Sequence, residues 1–318
     1  MMNKIVPLLI ALTSTTLLTH FAYADGNVAP GASYQDPPEQ ATETQEDSPV
    51  HPWSMPSIEV RGQRKPLLKD EERIGAYNQP RWSADRVFPT TRSYVVPAGT
   101  VSFEYWNRFN MPVGGFDQRR VRNYYEAEFG LGHRLQLDIY LVTQQAGYSG
   151  GSEIKKESLE LRYALANWGE IWGNPTLYFE WTRENGSPDS LEAKLLLAGE
   201  LSAGWHGAAN LVVERLMGGG FGHEYQISGG LSHTVTDQKL ALGVEGRFEF
   251  HDDQGKRFSQ LHDLAILAGP SLNWRPVKNM HLLWVVLAGP ARGELVPDSD
   301  PEKYAAAIES WLVLGWMF

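Results

Sequence analysis

Residues Leu240 to Phe250 read LALGVEGRFEF, and this stretch decides the fold class. Every second residue from Leu240 onward is apolar or glycine, whereas the alternate positions near the end carry Glu245, Arg247 and Glu249. A helix of 3.6 residues per turn cannot keep six successive alternate residues on one face. The stretch is therefore predicted to be a β-strand with one apolar face and one polar face.

The same period of two residues repeats from Gly99 to the end of the chain. It predicts twelve strands, and the fold class is all-β. The predicted strands lie near 100–109, 122–131, 133–146, 156–167, 174–184, 190–202, 205–217, 223–234, 238–251, 262–275, 279–290 and 306–318.

The connections between these strands alternate in length. Those that follow even-numbered strands are tight, as at Ala203-Gly204, with a somewhat longer turn from Asn167 to Gly173. Those that follow odd-numbered strands are longer and polar, as from Asp252 to Leu261. Short periplasmic turns and long outer loops are typical of a transmembrane antiparallel β-barrel with both termini in the periplasm. A soluble β-sandwich or propeller is not expected to place its short connections at one end and its long connections at the other.

Aromatic residues support this orientation. Trp168, Trp172, Trp205, Trp274 and Trp316 all fall at predicted periplasmic ends of strands. Tryptophan prefers the membrane–water boundary, because its ring is apolar while its N–H requires a hydrogen-bond partner.

The last strand places Leu312, Leu314, Trp316 and Phe318 on one face. A terminal phenylalanine resembles the signal that the barrel-assembly machinery reads, so this machinery and outer-membrane lipid are the expected partners.

Composition excludes several functional classes. The 318-residue chain has no cysteine, which excludes a disulfide scaffold, a thiolate metal site and a cysteine nucleophile. Its net charge of −10 argues against binding to nucleic acid, which requires a basic surface. The mean hydropathy of −0.34 excludes a helical membrane bundle but not a barrel, in which alternate residues face a polar lumen.

The region before the barrel divides into three parts. Residues 1–24 are a predicted signal peptide, with a basic start, an apolar stretch and small residues before a cleavage site at Asp25. Residues 25–57 are rich in Pro, Gln, Glu and Thr, and we expect them to be disordered. Residues 58–95 are basic and carry large apolar side chains, so we expect an ordered but irregular segment that leads into the barrel at residues 96–318.

If the apolar residues face lipid, the alternate residues line the lumen. Their charged members are twelve acids and four bases: Glu104, Arg108, Glu126, Glu128, Asp138, Glu160, Arg162, Glu180, Glu192, Lys194, Glu200, Glu214, Glu245, Arg247, Glu249 and Asp263. Such a surplus of acids cannot be buried dry, because an unpaired buried carboxylate is costly or takes up a proton.

Two arrangements would accommodate these acids. The lumen is either a narrow wet pathway that favours cations or polar solutes, or it is plugged by the basic segment. The cations available for a plug are Arg61, Arg64, Lys65, Lys69, Arg73, Arg81, Arg86 and Arg92. Twelve strands lie between the eight that side chains fill and the sixteen that leave a wide channel, so barrel size leaves both open.

The sequence offers residues for two further kinds of site. His251, Asp252, Asp253, His262 and Asp263 bracket one outer loop and offer metal ligands, although a solvated polar loop is the favoured interpretation. A lipid hydrolase would need a Ser–His pair, for which Ser232, His206 and His233 are the available residues. No catalytic residue, metal or cofactor is predicted.

With its twelve strands, a hairpin at Leu131-Gly132-His133-Arg134-Leu135 and a terminal aromatic residue, the 96–318 region resembles a group of small outer-membrane barrels. These are transporter-like proteins of the MetA-pathway phenol-degradation type. The resemblance implies passage of small solutes, aromatic or apolar ones included, across the bacterial outer membrane. The sequence therefore favours a narrow channel or transporter, with a structural or interaction barrel and a lipid hydrolase as alternatives.

Overall fold

The computed structural model describes residues 68–113, 119–146, 151–218, 222–252, 261–292 and 305–318. The predicted signal peptide, the 25–57 segment and three of the predicted plug cations (Arg61, Arg64 and Lys65) lie outside the described residues.

Twelve long strands dominate the described chain. They are β3 (Val101–Pro112), β4 (Arg120–Gly132), β5 (Leu135–Ala146), β6 (Glu153–Ala164), β7 (Thr176–Glu184), β8 (Ser190–Ser202), β9 (Trp205–Leu216), β10 (His223–Thr236), β11 (Leu240–Asp252), β12 (Leu261–Val277), β13 (Met280–Arg292) and β14 (Ala305–Met317). Each corresponds to one predicted strand, with bounds that agree to within three residues.

The strands form one closed antiparallel barrel in sequence order. The ring closes between its first and last strands, where Ser102 of β3 pairs with Met317 of β14. Closure satisfies the backbone groups that an open sheet would expose at its edges. The predicted twelve-stranded barrel is confirmed.

Exposure alternates along the strands as the period of two predicts. On β6, Leu159 and Leu161 are 46% and 42% exposed, whereas Glu160 between them is fully buried. Each strand presents at least one large apolar residue outward: Phe103, Tyr125, Ile139, Leu159, Phe179, Leu191, Leu211, Ile227, Leu242, Ile266, Trp284 and Trp316. A continuous apolar belt of this size is not stable against water, so the barrel is of the membrane-spanning kind.

No helix among the described residues is long and apolar enough to cross a membrane.

The two ends of the barrel differ in their connections. At one end, here named the turn end, the chain reverses within two or three residues at 133–134, 203–204, 237–239 and 278–279. The opposite end carries the longer connections and is named the loop end. The only long connection at the turn end joins β6 to β7 through residues 165–175.

This long turn corrects one prediction about tryptophans. Trp172, Trp205, Trp274 and Trp316 are exposed at the turn end, as expected for a membrane boundary. Trp168 is only 3% exposed instead, and its backbone N–H donates to the carbonyl of Tyr77 at 2.9 Å. Its ring packs against Trp82 and Tyr94, so Trp168 is a packing residue of the interior.

Residues 68–100, named here the inner segment, contact inward-facing side chains around the ring. The segment begins with a 3-10 turn (Lys69–Glu71) and the short paired strands β1 (Arg73–Ile74) and β2 (Gln79–Pro80). A single helical turn, α1 (Arg81–Ala84), follows, and the chain is then irregular up to β3. Most of the segment from Tyr77 to Val96 is buried.

Candidate functional site: the lumen

The inner segment is anchored first at the turn end. The carboxylate of Asp237, in the turn between β10 and β11, accepts hydrogen bonds from the backbone N–H groups of Lys69 and Asp70 at 2.9 and 3.0 Å. Asp70 is buried and accepts from the Arg275 guanidinium of β12 at 2.6 Å. The start of the segment is thus tied to three neighbouring strands.

Apolar packing provides the second anchor. Trp82 stacks on His206 of β9 with ring centroids 4.6 Å apart and meets Trp168 edge-on at 5.4 Å. Phe88 is fully buried against Gly230 of β10, where an added Cβ would lie 2.5 Å from the Phe88 ring. Glycine at this position therefore makes room for Phe88.

Two arginines of the inner segment reach a group of buried carboxylates. Arg86 donates to Glu104 at 2.7 Å and to Glu126 at 3.0 Å. Arg92 donates to Glu126 at 2.6 Å and to Glu128 at 3.3 Å. Burying several acids together is costly unless cations and hydrogen bonds compensate them, so the barrel wall depends on this segment for charge balance.

Arg162 of β6 completes the same cluster from the barrel wall. It pairs with Asp138 at 2.7 Å and with Glu160, which also accepts a hydrogen bond from the hydroxyl of Tyr140. The surplus of acids predicted for the lumen is therefore concentrated beside three guanidinium groups.

The predicted lumen residues whose side chains the structure describes lie on inward faces of the strands; the side chain of Asp263 is outside the described part. Eight of them are buried: Glu104, Glu126, Glu128, Asp138, Glu160, Arg162, Glu245 and Arg247. Seven are half-buried: Arg108, Glu180, Glu192, Lys194, Glu200, Glu214 and Glu249. Glu245 accepts hydrogen bonds from the N–H and hydroxyl of Thr90, which adds a further contact between wall and segment.

Sequence reasoning missed Glu309. This residue is fully buried on the inner face of β14, where it accepts hydrogen bonds from Arg108 at 2.6 Å, Arg247 at 3.0 Å and the Trp311 indole at 2.6 Å. The sequence does contain the information needed to place Glu309. Because Leu312 and Leu314 face the lipid, the odd-numbered residues of this strand, Glu309 among them, face the lumen.

The predicted plug cations have different positions. Of the five predicted plug cations that the structure describes, Arg86 and Arg92 enter the acidic cluster. Arg73 pairs with Glu200 at the turn end at 3.1 Å, and Arg81 pairs with Glu72 of its own segment at 3.4 Å. Lys69 contributes its backbone N–H to Asp237.

Two titratable groups of the inner segment are shifted by their surroundings. Burial raises the pKa of the Asp85 carboxyl, and it also raises the pKa of the Tyr94 hydroxyl. That hydroxyl donates to the carbonyl of Ala166 at 2.6 Å. Both shifts favour the neutral form, so these groups add little negative charge to a lumen already rich in carboxylates.

The loop-end half of the lumen contains a cavity of about 620 Å³, named here the outer chamber. Arg86, Pro89, Thr90 and Arg92 of the inner segment line it, and the remaining lining residues come from the barrel wall. The inner segment therefore separates this chamber from the turn end.

The outer chamber is not acidic. Among the described residues that line it, eight are lysine or arginine: Arg86, Arg92, Arg108, Arg120, Arg122, Lys156, Lys194 and Arg247. Six are glutamate: Glu180, Glu184, Glu192, Glu214, Glu224 and Glu249. The acid surplus is therefore a property of the deeper lumen, and the open half is mixed in charge.

The residues considered for a hydrolase do not form a catalytic pair. Ser232 faces His206 across β9 and β10, but the Ser232 hydroxyl has no hydrogen-bond partner among the described residues. Both side chains are buried. His233 contacts the carbonyl of Gly204 through Nδ1 at 3.2 Å.

The residues considered for a metal site are only partly described. Nε2 of His251 lies 3.0 Å from Glu224 and 3.5 Å from Glu249, and the possible ligand atoms of these three residues lie within 4.8 Å of one another. Asp252 is buried, and the side chains of Asp253, His262 and Asp263 lie outside the described part of the chain.

No family model and no curated protein matches the chain. Among solved structures, it is similar to the NanC porin, with a TM-score of 0.51 and 4% identity over 67% of this chain and 98% of that one.

Two other matches are weaker. The KdgM porin in complex with disordered oligogalacturonate has a TM-score of 0.45 and 10% identity over 68% of this chain and 99% of that one. An outer membrane channel from Pseudomonas putida F1 has a TM-score of 0.44 and 11% identity over 73% of this chain and all of that one. At these identities the likeness shows the fold alone, which is that of a small outer-membrane β-barrel.

Proposed function

We propose that this chain is a bacterial outer-membrane barrel that passes small solutes, with its loop end outside the cell and the inner segment as a plug. One observation carries the proposal: a chamber of about 620 Å³ lies at the loop end and is lined on its inner side by Arg86, Pro89, Thr90 and Arg92. A chamber lined by charged and aromatic side chains accommodates a solute. Passage then requires the plug to shift.

A structural or interaction barrel is the second candidate. The turn-end half of the lumen favours it, because this half is filled by buried side chains such as Trp82, Phe88 and Trp168. A barrel of this kind would hold the inner segment permanently.

A disulfide that locks the inner segment separates the two candidates. The chain has no cysteine, so a pair introduced as Phe88→Cys and Gly230→Cys would be the only thiols. An ideal Cβ at Gly230 lies 2.9 Å from Cγ of Phe88, which suits the spacing between a Cβ and the distal sulfur of a disulfide. We expect oxidised double-variant barrels in planar bilayers to carry less current than the same barrels after reduction.

The single variant Phe88→Cys is the matched control, and its current should not depend on the redox state. Equal currents before and after reduction of the double variant would contradict a moving plug. An absence of current in the native protein and in every variant would favour the structural barrel.

Other parts of the proposal concern export and solute type. We also propose that residues 1–24 act as a signal peptide and that the barrel-assembly machinery recognises the strand that ends at Phe318. From the resemblance to the MetA-pathway phenol-degradation type we propose that the solutes include aromatic ones. The rings of Trp106, Tyr124 and Trp311, which line the outer chamber, support this solute class. We propose no enzymatic activity, which the likeness of the fold to the NanC porin supports.

A further inference from the structure

Many charges in the outer chamber are grouped by sign around the ring, although Lys194 of β8 lies among the acids and Arg247 of β11 lies beside Glu249. Four cations lie on β3, β4 and β6: Arg108, Arg120, Arg122 and Lys156. Five glutamates lie on β7 to β10: Glu180, Glu184, Glu192, Glu214 and Glu224. The two groups meet at β6 and β7, where Lys156 pairs with Glu184. In a closed ring of twelve strands β4 and β9 are five strands apart, so Arg122 and Glu214 lie on nearly opposite walls of the chamber.

The strand register places the acids side by side. Glu180 pairs with Glu192, Glu192 with Glu214, and Glu214 with Glu224, each as direct cross-strand partners. Like charges at directly opposite positions destabilise a sheet. Such a row therefore favours a positively charged group beside it.

One lysine and one histidine lie beside this row and compensate it only in part, because the histidine is charged only when it is protonated. Lys194 pairs with Glu192 at 2.7 Å, and His251 lies 3.0 Å from Glu224. Glu214 lies between these two pairs, and among the described residues no side chain forms a hydrogen bond or an ion pair with it. Its carboxylate lines the chamber.

The cationic side of the chamber also contains a residue that forms no ion pair with a described carboxylate. Arg108 is bound by Glu309 and Lys156 by Glu184, at 2.6 and 3.1 Å. Arg122 donates through Nε to the side-chain carbonyl of Gln144 at 2.7 Å, and no carboxylate within the described part of the chain pairs with it. Arg122 and Glu214 are thus two chamber charges of opposite sign that form no ion pair with a described residue, although Lys156 lies within electrostatic range of Glu214.

Aromatic rings line the chamber beside the cationic side. Tyr124 and Trp311 are stacked with centroids 5.8 Å apart, and Trp106 lies 5.4 Å from Tyr124. Such rings pack against an apolar or planar group. The volume of about 620 Å³ lies within the range of small-molecule pockets.

We propose that the outer chamber binds a small zwitterionic solute, of the size of an amino acid or short peptide. Its carboxylate lies at Arg122, its ammonium group at Glu214, and its side chain against Tyr124 and Trp311. A solute with a single charge satisfies only one of the two groups, whereas a zwitterion satisfies both. This inference rests on the proposed function and names the solute class for the same lumen.

Four probes of nearly equal size test the inference: phenylalanine, the cationic phenylalanine amide, the anionic N-acetylphenylalanine and the neutral N-acetylphenylalanine amide. Binding to the full chain in detergent is measured by calorimetry. We expect phenylalanine to bind at least about tenfold more tightly than each of the others, because each loses a charge-assisted contact.

Two variants test which charged group of the solute each residue binds. Arg122→Gln should abolish the preference for phenylalanine over its amide, and Glu214→Gln should abolish the preference over the N-acetyl form. Arg183→Gln is the matched control, because Arg183 is exposed and pairs only weakly with Glu157 at 3.5 Å. Melting curves verify that every variant is folded.

Equal binding of the four probes, no binding of phenylalanine, or an equal loss for all probes in Arg122→Gln would overturn the inference. Uptake of the same probes into proteoliposomes is measured in parallel. Uptake without charge preference would contradict the zwitterion site but would agree with the proposed channel. A binding preference without uptake of any probe rejects the channel instead.

Discussion

Most of the buried charged residues inside the barrel lie in groups that contain both signs. Glu309 is the clearest case, because two guanidinium groups and an indole N–H converge on its carboxylate. Gly315 leaves room for one such group. An added Cβ at this position would lie 2.1 Å from the ring of His281, and Nε2 of that ring contacts Glu104 at 2.9 Å. At the residue scale, the lumen is stabilised by partners that come from distant strands.

Replacement of Glu309 by glutamine should destabilise the barrel by about 3–5 kcal/mol, because it leaves Arg108 and Arg247 buried beside a neutral group. The free energy of unfolding is measured by denaturant titration in lipid vesicles. The matched control is Glu157→Gln, which removes an exposed partner of Arg183 and should cost less than about 1 kcal/mol. Similar losses for both variants would show that the buried group contributes no more than a surface pair.

The strands of the barrel differ in how clearly their sequence distinguishes the lumen-facing side from the lipid-facing side. On β6 the inner face is charged and the outer face is apolar, so the alternation is evident. On β12 to β14 the inner face also carries large apolar residues, including Leu267, Leu283, Leu287 and Val313, which form a buried cluster. Here both faces are apolar, and the pattern alone does not reveal which one faces the lumen.

The inner segment is an element that depends on a few packing contacts. Phe88→Ala should loosen it, because the variant leaves a void beside Gly230 where a buried ring now packs. We expect hydrogen exchange of the amides from Trp82 to Val96 to accelerate by about tenfold or more while the barrel strands keep their protection. The measurement is exchange followed by mass spectrometry.

The control for this experiment is Phe179→Ala, which removes an outward-facing ring from β7. It should leave exchange in the inner segment unchanged. If Phe88→Ala accelerated exchange in barrel and segment together, the segment would belong to the cooperative unit of the barrel and would not move separately.

At the scale of the whole molecule, the sorting of connections into short turns and long loops defines a direction across the membrane. Short turns are periplasmic in outer-membrane barrels, so the turn end should face the periplasm and the outer chamber should open to the outside.

Single cysteines test this orientation. Ser187 lies in the connection between β7 and β8 at the loop end, and Ala203 lies in the tight turn between β8 and β9. Both residues are exposed. In intact cells, a membrane-impermeant maleimide should label Ser187→Cys and not Ala203→Cys, and both should react after lysis. Labelling of Ala203→Cys alone in intact cells would reverse the orientation and the proposed function with it.

The sequence by itself determined the number of strands, their bounds and the alternation of lipid-facing and lumen-facing residues. This was possible because the period of two is a property of each strand's own backbone and is visible without knowledge of its neighbours. Closure of the ring follows from the apolar outer faces, since no edge strand is tolerated in lipid. The inward position of the charged residues from Glu104 to Glu249 follows from the same local rule.

Only the tertiary structure decided which charges meet and where the lumen is filled. Arg86 and Arg92 reach the buried cluster of Glu104, Glu126 and Glu128, whereas Arg73 pairs with Glu200 at the turn end. Trp168 packs inside although its position in the sequence resembles that of Trp205. Contacts of this kind join residues far apart in the chain, and they depend on the path of an irregular segment that has no periodicity to reveal it. The division between a filled turn end and an open chamber depends on the same path.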